Sequence, residues 1–141
     1  MKTRYFLLLI FTVFLSTSLL AQESGEGSGE AILSLEESSF DFGDIRQGEK
    51  VVHSFEFTNT GNQPLLLSNV LVQCGCTATE WPKEAIEPGE TATVSIEFDS
   101  SDKLGIQKKV VTLVSNAVNH KERIHLHLNV LPNKNFKESE K

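Results

Sequence analysis

Apolar and polar side chains alternate along several short segments of this chain, and this two-residue period constrains the fold more than any other feature of the sequence. In the clearest segment the apolar residues Ile124, Leu126, Leu128 and Val130 alternate with Arg123, His125, His127 and Asn129. Similar patterns occupy 92–98 and 51–59, although His53 interrupts the second. Because successive side chains of a strand point to opposite faces, each segment predicts a strand with one buried and one solvated face.

Apolar runs and turn residues extend the pattern over the rest of the chain. Runs of strand length at 31–35, 40–45, 64–72 and 108–115 bring the expected total to about seven strands. Asn-Thr-Gly-Asn at 59–62 and Pro88-Gly89 favour turns, and no segment shows a sustained helical period. We therefore predict an all-β, antiparallel sandwich, with a small barrel as the alternative. The expected core residues are Phe40, Phe42, Phe55, Phe57, Val94, Ile96, Phe98, Leu126 and Leu128.

Residues 1–21 have the pattern of a secretory signal peptide. Lys2 and Arg4 precede an apolar run at 5–15, after which 16–21 becomes smaller and more polar. The run is shorter than the ~20 residues of a membrane-spanning helix, which makes a retained anchor the less favoured alternative. We predict cleavage after Ala21, export to the periplasm or beyond, and no membrane span in the mature chain.

The remaining chain divides into a spacer, one domain and a tail. Residues 22–30 (QESGEGSGE) are expected to be a flexible spacer and 133–141 a disordered polar tail, which leaves 31–132 as the folded domain. The net charge is −6, and removal of Lys2 and Arg4 with the signal peptide makes it −8. An acidic domain argues against nucleic acid and anionic membrane surfaces as partners.

Cys74-Gly75-Cys76 is the one unusual local feature, and it contains both cysteines of the chain. An internal disulfide is one interpretation. Cα atoms two residues apart in an extended strand are about 6.6 Å apart, so a bridge requires the segment to bend. Gly75 allows the bend because glycine adopts backbone angles that other residues avoid. Such a ring is expected to be strained and therefore oxidising.

Two other interpretations of the cysteine pair stay open. The thiolates could bind a soft metal such as Cu(I) or Zn, with His125 and His127 completing the ligand set from one strand face. A solvated strand face is the favoured interpretation of those two histidines. Alternatively, the thiols could pack against Trp81 or beneath the Pro88 turn, in a purely structural strand exit.

The sequence contains no recognisable catalytic arrangement. Serines are plentiful, but none lies in a nucleophile elbow, and no glycine-rich phosphate loop precedes a helix. The aspartates at 41, 44, 99 and 102 flank strands and turns, where they are expected to form turns or remain solvated. We therefore expect neither an enzyme nor a cofactor.

The order of several motifs along the chain is specific, although each motif alone is weak. They are Phe-Asp-Phe-Gly-Asp-Ile at 40–45, His-Ser-Phe-Glu-Phe at 53–57, Asn-Thr-Gly at 59–61, Cys-Gly-Cys-Thr at 74–77, Ile-Glu-Pro-Gly-Glu at 86–90 and Ser-Asn at 115–116. Over about 40–130 this order resembles the domain-of-unknown-function family 1573 (DUF1573) of exported proteins in Bacteroidetes-type bacteria. Asn129 departs from it, where a glycine is expected.

The resemblance implies an immunoglobulin-like sandwich akin to PapD-like and cilia-associated (ASH/MSP-type) domains, in a periplasmic or surface location. It implies no activity and no catalytic residue. Our leading hypothesis is a non-enzymatic envelope domain that binds a protein or polymer partner through a sheet edge or loops. The alternative is thiol redox chemistry or soft-metal handling through Cys74 and Cys76. The oligomeric state is left open.

Overall fold

A computed structural model describes residues 29–133. The predicted signal peptide, all but the end of the spacer and all but the start of the tail lie outside the described residues. The strands are β1 (Leu33–Leu35), β2 (Ser39–Arg46), β3 (Lys50–Asn59), β4 (Leu67–Val72), β5 (Thr77–Glu80), β6 (Thr91–Asp99), β7 (Gly105–Ser115) and β8 (Lys121–Leu131). In this part of the chain no helix is long and apolar enough to cross a membrane.

The eight strands form two four-stranded sheets, which confirms the predicted all-β sandwich. The strand orders are β1-β3-β6-β5 and β2-β8-β7-β4. Every ladder is antiparallel, as expected, except that β2 pairs with β8 in parallel. Residues 36–38 join β1 in the first sheet to β2 in the second. The chain therefore changes sheets here without forming a hairpin between β1 and β2.

The two sheets enclose a core made largely of the alternating apolar residues. Seven of the predicted core residues are buried, and Phe55, Phe57, Val94, Ile96, Phe98 and Leu126 are fully inaccessible to solvent. Phe40 and Phe42 are only half-buried and pack against the rim of the core, so their predicted burial was wrong. They lie on β2, an edge strand whose pairing is interrupted by a bulge between Asp41 and Asp44.

One strand was not predicted. β5 has the polar sequence Thr-Ala-Thr-Glu, of which only Thr77 is buried. It forms because its main chain pairs with β6, from Thr77 opposite Phe98 to Glu80 opposite Ser95. The run predicted at 64–72 begins as a strand only at Leu67, although Leu65 forms an isolated bridge with Ile86.

Asn59, expected at the end of a strand and the start of a turn, is the last residue of β3 and is fully buried. Its Nδ2 donates to the carbonyls of Gln63 (2.7 Å) and Ile86 (2.9 Å). Its Oδ1 accepts from the backbone N–H groups of Gly61 (3.0 Å) and Ile32 (3.4 Å). A single amide side chain therefore joins the segment before β1, the β3–β4 loop and the β5–β6 loop.

Three connections meet at the opposite end of the sandwich: 47–49, 73–76 and 100–104, which we call the cysteine end. The hydroxyl of Ser100 donates to the carbonyls of Arg46 (3.0 Å) and Glu49 (2.7 Å). The N–H of Asp99 donates to the carbonyl of Cys76 at 2.9 Å. These bonds hold the three connections together and place the Cys74–Cys76 segment beside the loop that follows β6.

Candidate functional site

Cys74 and Cys76 form a disulfide, with their Cα atoms 5.2 Å apart. The segment bends in a turn between β4 and β5, in which the N–H of Thr77 donates to the carbonyl of Cys74 at 3.3 Å. The structure therefore matches the disulfide interpretation of the motif. The structural alternative, with free thiols near Trp81 or beneath the Pro88 turn, was wrong because each sulfur is bonded to the other.

Gly75 does not supply the unusual backbone angle expected of it. Its φ lies outside the left-handed region, and a Cβ atom built on it would meet nothing within 4 Å. Gly43 also has open space around a Cβ, but its φ of 68° is one that favours glycine. The bend at Cys74–Cys76 is therefore accessible to other residues, and the turn hydrogen bond accounts for it.

The turn is anchored through its main chain and through neighbouring side chains. Besides the bond from Asp99 to the Cys76 carbonyl, the N–H of Val110 donates to Oε1 of Gln73 at 3.2 Å. Oγ1 of Thr77 lies 3.8 Å from the Cys74 sulfur and 4.0 Å from the Cys76 sulfur. Contacts that do not involve the sulfur–sulfur bond thus connect the turn to both sheets.

The two sulfurs have different surroundings. Cys76 packs against the smaller of two apolar clusters, which contains Phe98, Leu128 and Val130. Cys74 belongs to neither cluster, although its side chain is also half-buried. Both cysteines line the same surface cleft, but only Cys76 also packs against an apolar cluster of the core.

A cleft of about 300 Å³ adjoins the bridge, with residues 99 and 101–103 on its other side. Lys103 Nζ lies 2.6 Å from a carboxylate oxygen of Asp102, and this hydrogen bond lowers the pKa of Asp102. The hydroxyl and the N–H of Ser101 both donate to Asp99 and lower its pKa. Nζ of Lys50 also lies 3.4 Å from Asp99 and 3.3 Å from Glu97. The charged groups in and beside the cleft are therefore three carboxylates and two ammonium groups, and their net charge is −1.

The bridge contributes little to the stability of the fold. The loop-closure relation assigns about 1.6 kcal/mol to a three-residue loop, compared with about 3 kcal/mol for a loop of 15 residues. Cys74 and Cys76 are only two positions apart, and the bridge joins no two strands that the main chain leaves separate. Stabilisation of the fold alone therefore does not account for a disulfide at this position.

The metal site that was considered as an alternative does not assemble among the described residues. His125 and His127 lie on the outer face of β8, opposite Val110 and Lys108 of β7. Among residues 29–133 no group of three or more histidine, cysteine, aspartate or glutamate side chains could hold a metal ion. The aspartates of β2 act as expected, since Asp41 accepts from the N–H of Gly43 at 2.8 Å.

His53 has a role that the sequence did not reveal. Its ring stacks on Phe40 with centroids 3.6 Å apart and contacts Phe55 edge-on at 4.7 Å. Nε2 of His53 lies 2.5 Å from a carboxylate oxygen of Glu37. The only sequence signal for this role was that His53 interrupts an apolar row. Its contacts with Glu37 and Phe40 lie where the chain passes from the first sheet to the second.

The four sheet edges differ in how they are protected from further pairing. On β1, the side chain of Asn119 bonds both the N–H and the carbonyl of Leu33. β2 carries a bulge and charged residues, and β5 is only four residues long and ends in a glutamate. β4 (LSNVLV) has no charge, and its Leu71 and Val72 are 49% and 38% exposed. β4 is therefore the least protected edge.

A second cleft, of about 370 Å³, runs beside β4 on the outer face of its sheet. Leu71, Val72 and Val110 supply apolar surface, and Arg123 and His125 lie on the far side. The face beside the unprotected edge is therefore apolar with a basic border, although the chain as a whole is acidic.

Comparison with solved structures identifies the fold. The chain is 16% identical to the ASH/PapD-like domain 7 of human CEP192, with a TM-score of 0.59 over 84% of this chain and 98% of that one. A protein of unknown function from Porphyromonas gingivalis W83 is 21% identical (TM-score 0.60), over 72% of this chain and 46% of that one. The secreted serine protease VesC from Vibrio cholerae is 19% identical (TM-score 0.55), over 70% of this chain and 23% of that one.

These likenesses show an immunoglobulin-like, PapD-type sandwich. The chain spans less than half the length of the Porphyromonas protein and about a quarter of VesC. No curated protein sequence matches it. Residues 33–130 match the family described as "Protein of unknown function (DUF1573)", and this match covers every strand from β1 to β7 and nearly all of β8. The chain therefore belongs to the DUF1573 family.

Proposed function

We propose that this chain is an exported, non-enzymatic module that binds a partner protein in the cell envelope by strand addition at β4. The observation that carries the proposal is the contrast between β4 and the other three edges. An added strand pairs through its main chain with the exposed edge, and alternate side chains supply specificity. β4 offers a regular run at 69–72, beyond the irregularity between Leu67 and Asn69.

The surface beside β4 favours one chemistry in the partner. Exposed Leu71 and Val72 would be covered by apolar side chains of an incoming strand. Arg123 and His125 border the same cleft and would attract an acidic residue next to that strand. The expected partner is thus an extended, apolar segment with an acidic flank. Asn69, whose Oδ1 accepts from the N–H of Val70 at 2.8 Å, would have to release that group.

Replacing Leu71 with lysine tests the site, because a charge on an edge strand opposes further pairing. Ile106→Lys is the matched control. Ile106 is 77% exposed on β7 of the same sheet, but it lies outside the stretch of β7 that pairs with β4. Partners captured from the native envelope should be retained by wild type and by Ile106→Lys and lost with Leu71→Lys.

Hydrogen exchange locates the contact. With the captured partner bound, the amides of 69–72 should gain protection. Protection confined to other strands, or equal capture by both variants, would contradict strand addition at β4.

A separate experiment tests export. The intact mass of protein purified from the native envelope should correspond to a chain that begins at Gln22. A mass that begins at Met1 would contradict export.

A further inference from the structure

We infer that the Cys74–Cys76 bridge is a thiol–disulfide exchange site that oxidises a dithiol carrying no net negative charge, with the first attack at Cys74. This inference is independent of the proposed role of β4. It rests on the accessibility of the bridge, the unequal surroundings of the two sulfurs and the charge of the adjacent cleft.

The bridge can open without disturbing the fold. The turn keeps its bond from Thr77 to the Cys74 carbonyl, its bond from Asp99 to the Cys76 carbonyl and the contact of Gln73 with Val110. None of these contacts uses a sulfur atom. A disulfide that the surrounding main chain does not need can cycle between its oxidised and reduced forms in a folded protein.

The packing of the two sulfurs sets the direction of attack. A thiolate must approach the sulfur that it attacks along the sulfur–sulfur axis, from the side opposite the leaving sulfur. The apolar cluster of Phe98, Leu128 and Val130 packs against Cys76, whereas Cys74 contacts neither cluster. Attack at Cys74 therefore leaves Cys76 as the leaving group. The Thr77 hydroxyl lies 3.8 Å from the Cys74 sulfur and 4.0 Å from the Cys76 sulfur, so it can donate to whichever thiolate forms.

The exchange has two steps, each of which forms one sulfur–sulfur bond and breaks another. The first thiolate of the partner dithiol forms a bond to Sγ of Cys74, the Cys74–Cys76 bond breaks, and Sγ of Cys76 takes the electron pair and then a proton. The second partner thiolate attacks the partner's own sulfur in the mixed disulfide and releases Cys74 as a thiolate, which is protonated. The partner dithiol loses two electrons and two protons and becomes a disulfide, and the bridge becomes two thiols.

The charge of the cleft selects among thiols. Lys50 pairs with Asp99 and Glu97, and Lys103 pairs with Asp102, so the three carboxylates beside the bridge exceed the ammonium groups by one. This net negative charge repels an approaching anionic thiol and attracts a cationic one. One unit charge about 6–7 Å away in water changes a rate about three-fold. A cationic thiol should therefore gain close to ten-fold over an anionic one of similar size, and salt should reduce that difference.

The experiment measures reduction of the oxidised protein by cysteamine, 2-mercaptoethanol and mercaptoethanesulfonate, with alkylation and mass spectrometry as the readout. The oxidised, end-blocked pentapeptide Gln-Cys-Gly-Cys-Thr is the control, because it contains the same bridge without the cleft. Relative to the peptide, the protein should favour the cationic over the anionic thiol by about ten-fold at low salt. A protein bridge that resists thiols reducing the peptide, or an equal preference in both, would overturn the inference.

Single variants test the direction of attack. Cys76→Ser leaves Cys74 as a free thiol, and Cys74→Ser leaves Cys76. With cystamine as the disulfide probe, the thiol of Cys76→Ser should form the mixed disulfide at least about ten-fold faster than that of Cys74→Ser, because apolar core residues pack against Cys76 only. Equal or reversed rates would overturn the assignment of Cys74. Should either variant fail to fold, the thiol series on the wild-type protein still decides whether the bridge exchanges.

Discussion

Replacing Asn59 with alanine tests the polar interior of this domain directly, because one buried amide holds segments from three parts of the chain. The substitution removes four hydrogen bonds at once, two donated by Nδ2 and two accepted by Oδ1. It keeps the backbone of Asn59, which pairs with Leu33 and also bonds Glu90 and Gly89. The strands should therefore still form, and the loss should appear as reduced stability.

The size of the destabilisation depends on how deeply each hydrogen-bond partner of Asn59 is buried. The bond to the carbonyl of Ile86 is buried, and leaving a buried group unsatisfied costs about 1–3 kcal/mol. The other three bonds are only partly buried, so water can replace part of each, at about 0.5–1 kcal/mol apiece. Asn59→Ala should therefore lower the free energy of unfolding by about 2.5–6 kcal/mol.

Asn116→Ala is the matched control. Asn116 also bonds two backbone groups of the β3–β4 loop, the N–H of Leu66 (2.8 Å) and the carbonyl of Pro64 (3.0 Å), but both bonds are exposed. Its loss should stay under about 1 kcal/mol. Urea unfolding followed by circular dichroism measures both variants, provided that the m-values agree. A loss for Asn59→Ala within about 1 kcal/mol of the control would refute the argument from burial.

Two further predictions concern the β2 bulge and the cysteine end. Gly75→Ala should change the free energy of unfolding by less than about 0.5 kcal/mol, whereas Gly43→Ala should lower it by about 1–2 kcal/mol. Of these two glycines only Gly43 has a positive φ. Similar losses for the two variants in urea unfolding would contradict this prediction. Asp99 has a lowered pKa, so its stabilising contribution is present above the unfolded-state pKa and is lost as the pH falls through the folded-state value. Ser101→Ala removes the hydroxyl group that lowers the Asp99 pKa most. NMR titration should therefore show a higher Asp99 pKa, and acid unfolding should begin at a higher pH. An unchanged Asp99 titration would contradict the role of the Ser101 hydrogen bond.

The sequence predicted those parts of the fold that local periodicity determines. The alternation in β3, β6 and β8 placed seven core residues correctly, because one-sided burial leaves a two-residue period in the chain. β5 was not predicted because its pairing with β6 stabilises a segment whose own side chains carry almost no apolar signal. The burial of Phe40 and Phe42 was overestimated because edge position depends on strand order, which periodicity does not contain.

The candidate site was predicted in composition but not in arrangement. A disulfide with a bend between its cysteines was one of three interpretations of Cys74 and Cys76, and both the bridge and the bend are present. The neighbours of the bridge come from 99–103, about 25 positions further along the chain, and no local pattern connects the two segments. The burial of Asn59 was not predicted for the same reason, since its side chain bonds Ile86 and Ile32, which lie 27 positions away in either direction.

The parallel pairing of β2 with β8 has a consequence for how the domain is made. Ser39 lies opposite His125 and Arg46 opposite Leu131, so nearly the earliest strand depends on the last one. During synthesis β2 has no partner until residues 121–131 exist, and β7 lacks its longest neighbour until the same moment. The second sheet therefore closes only after residues 121–131 have been synthesised, and contacts this distant in sequence form slowly. Until then, the apolar faces that the two sheets bury against each other stay incompletely covered.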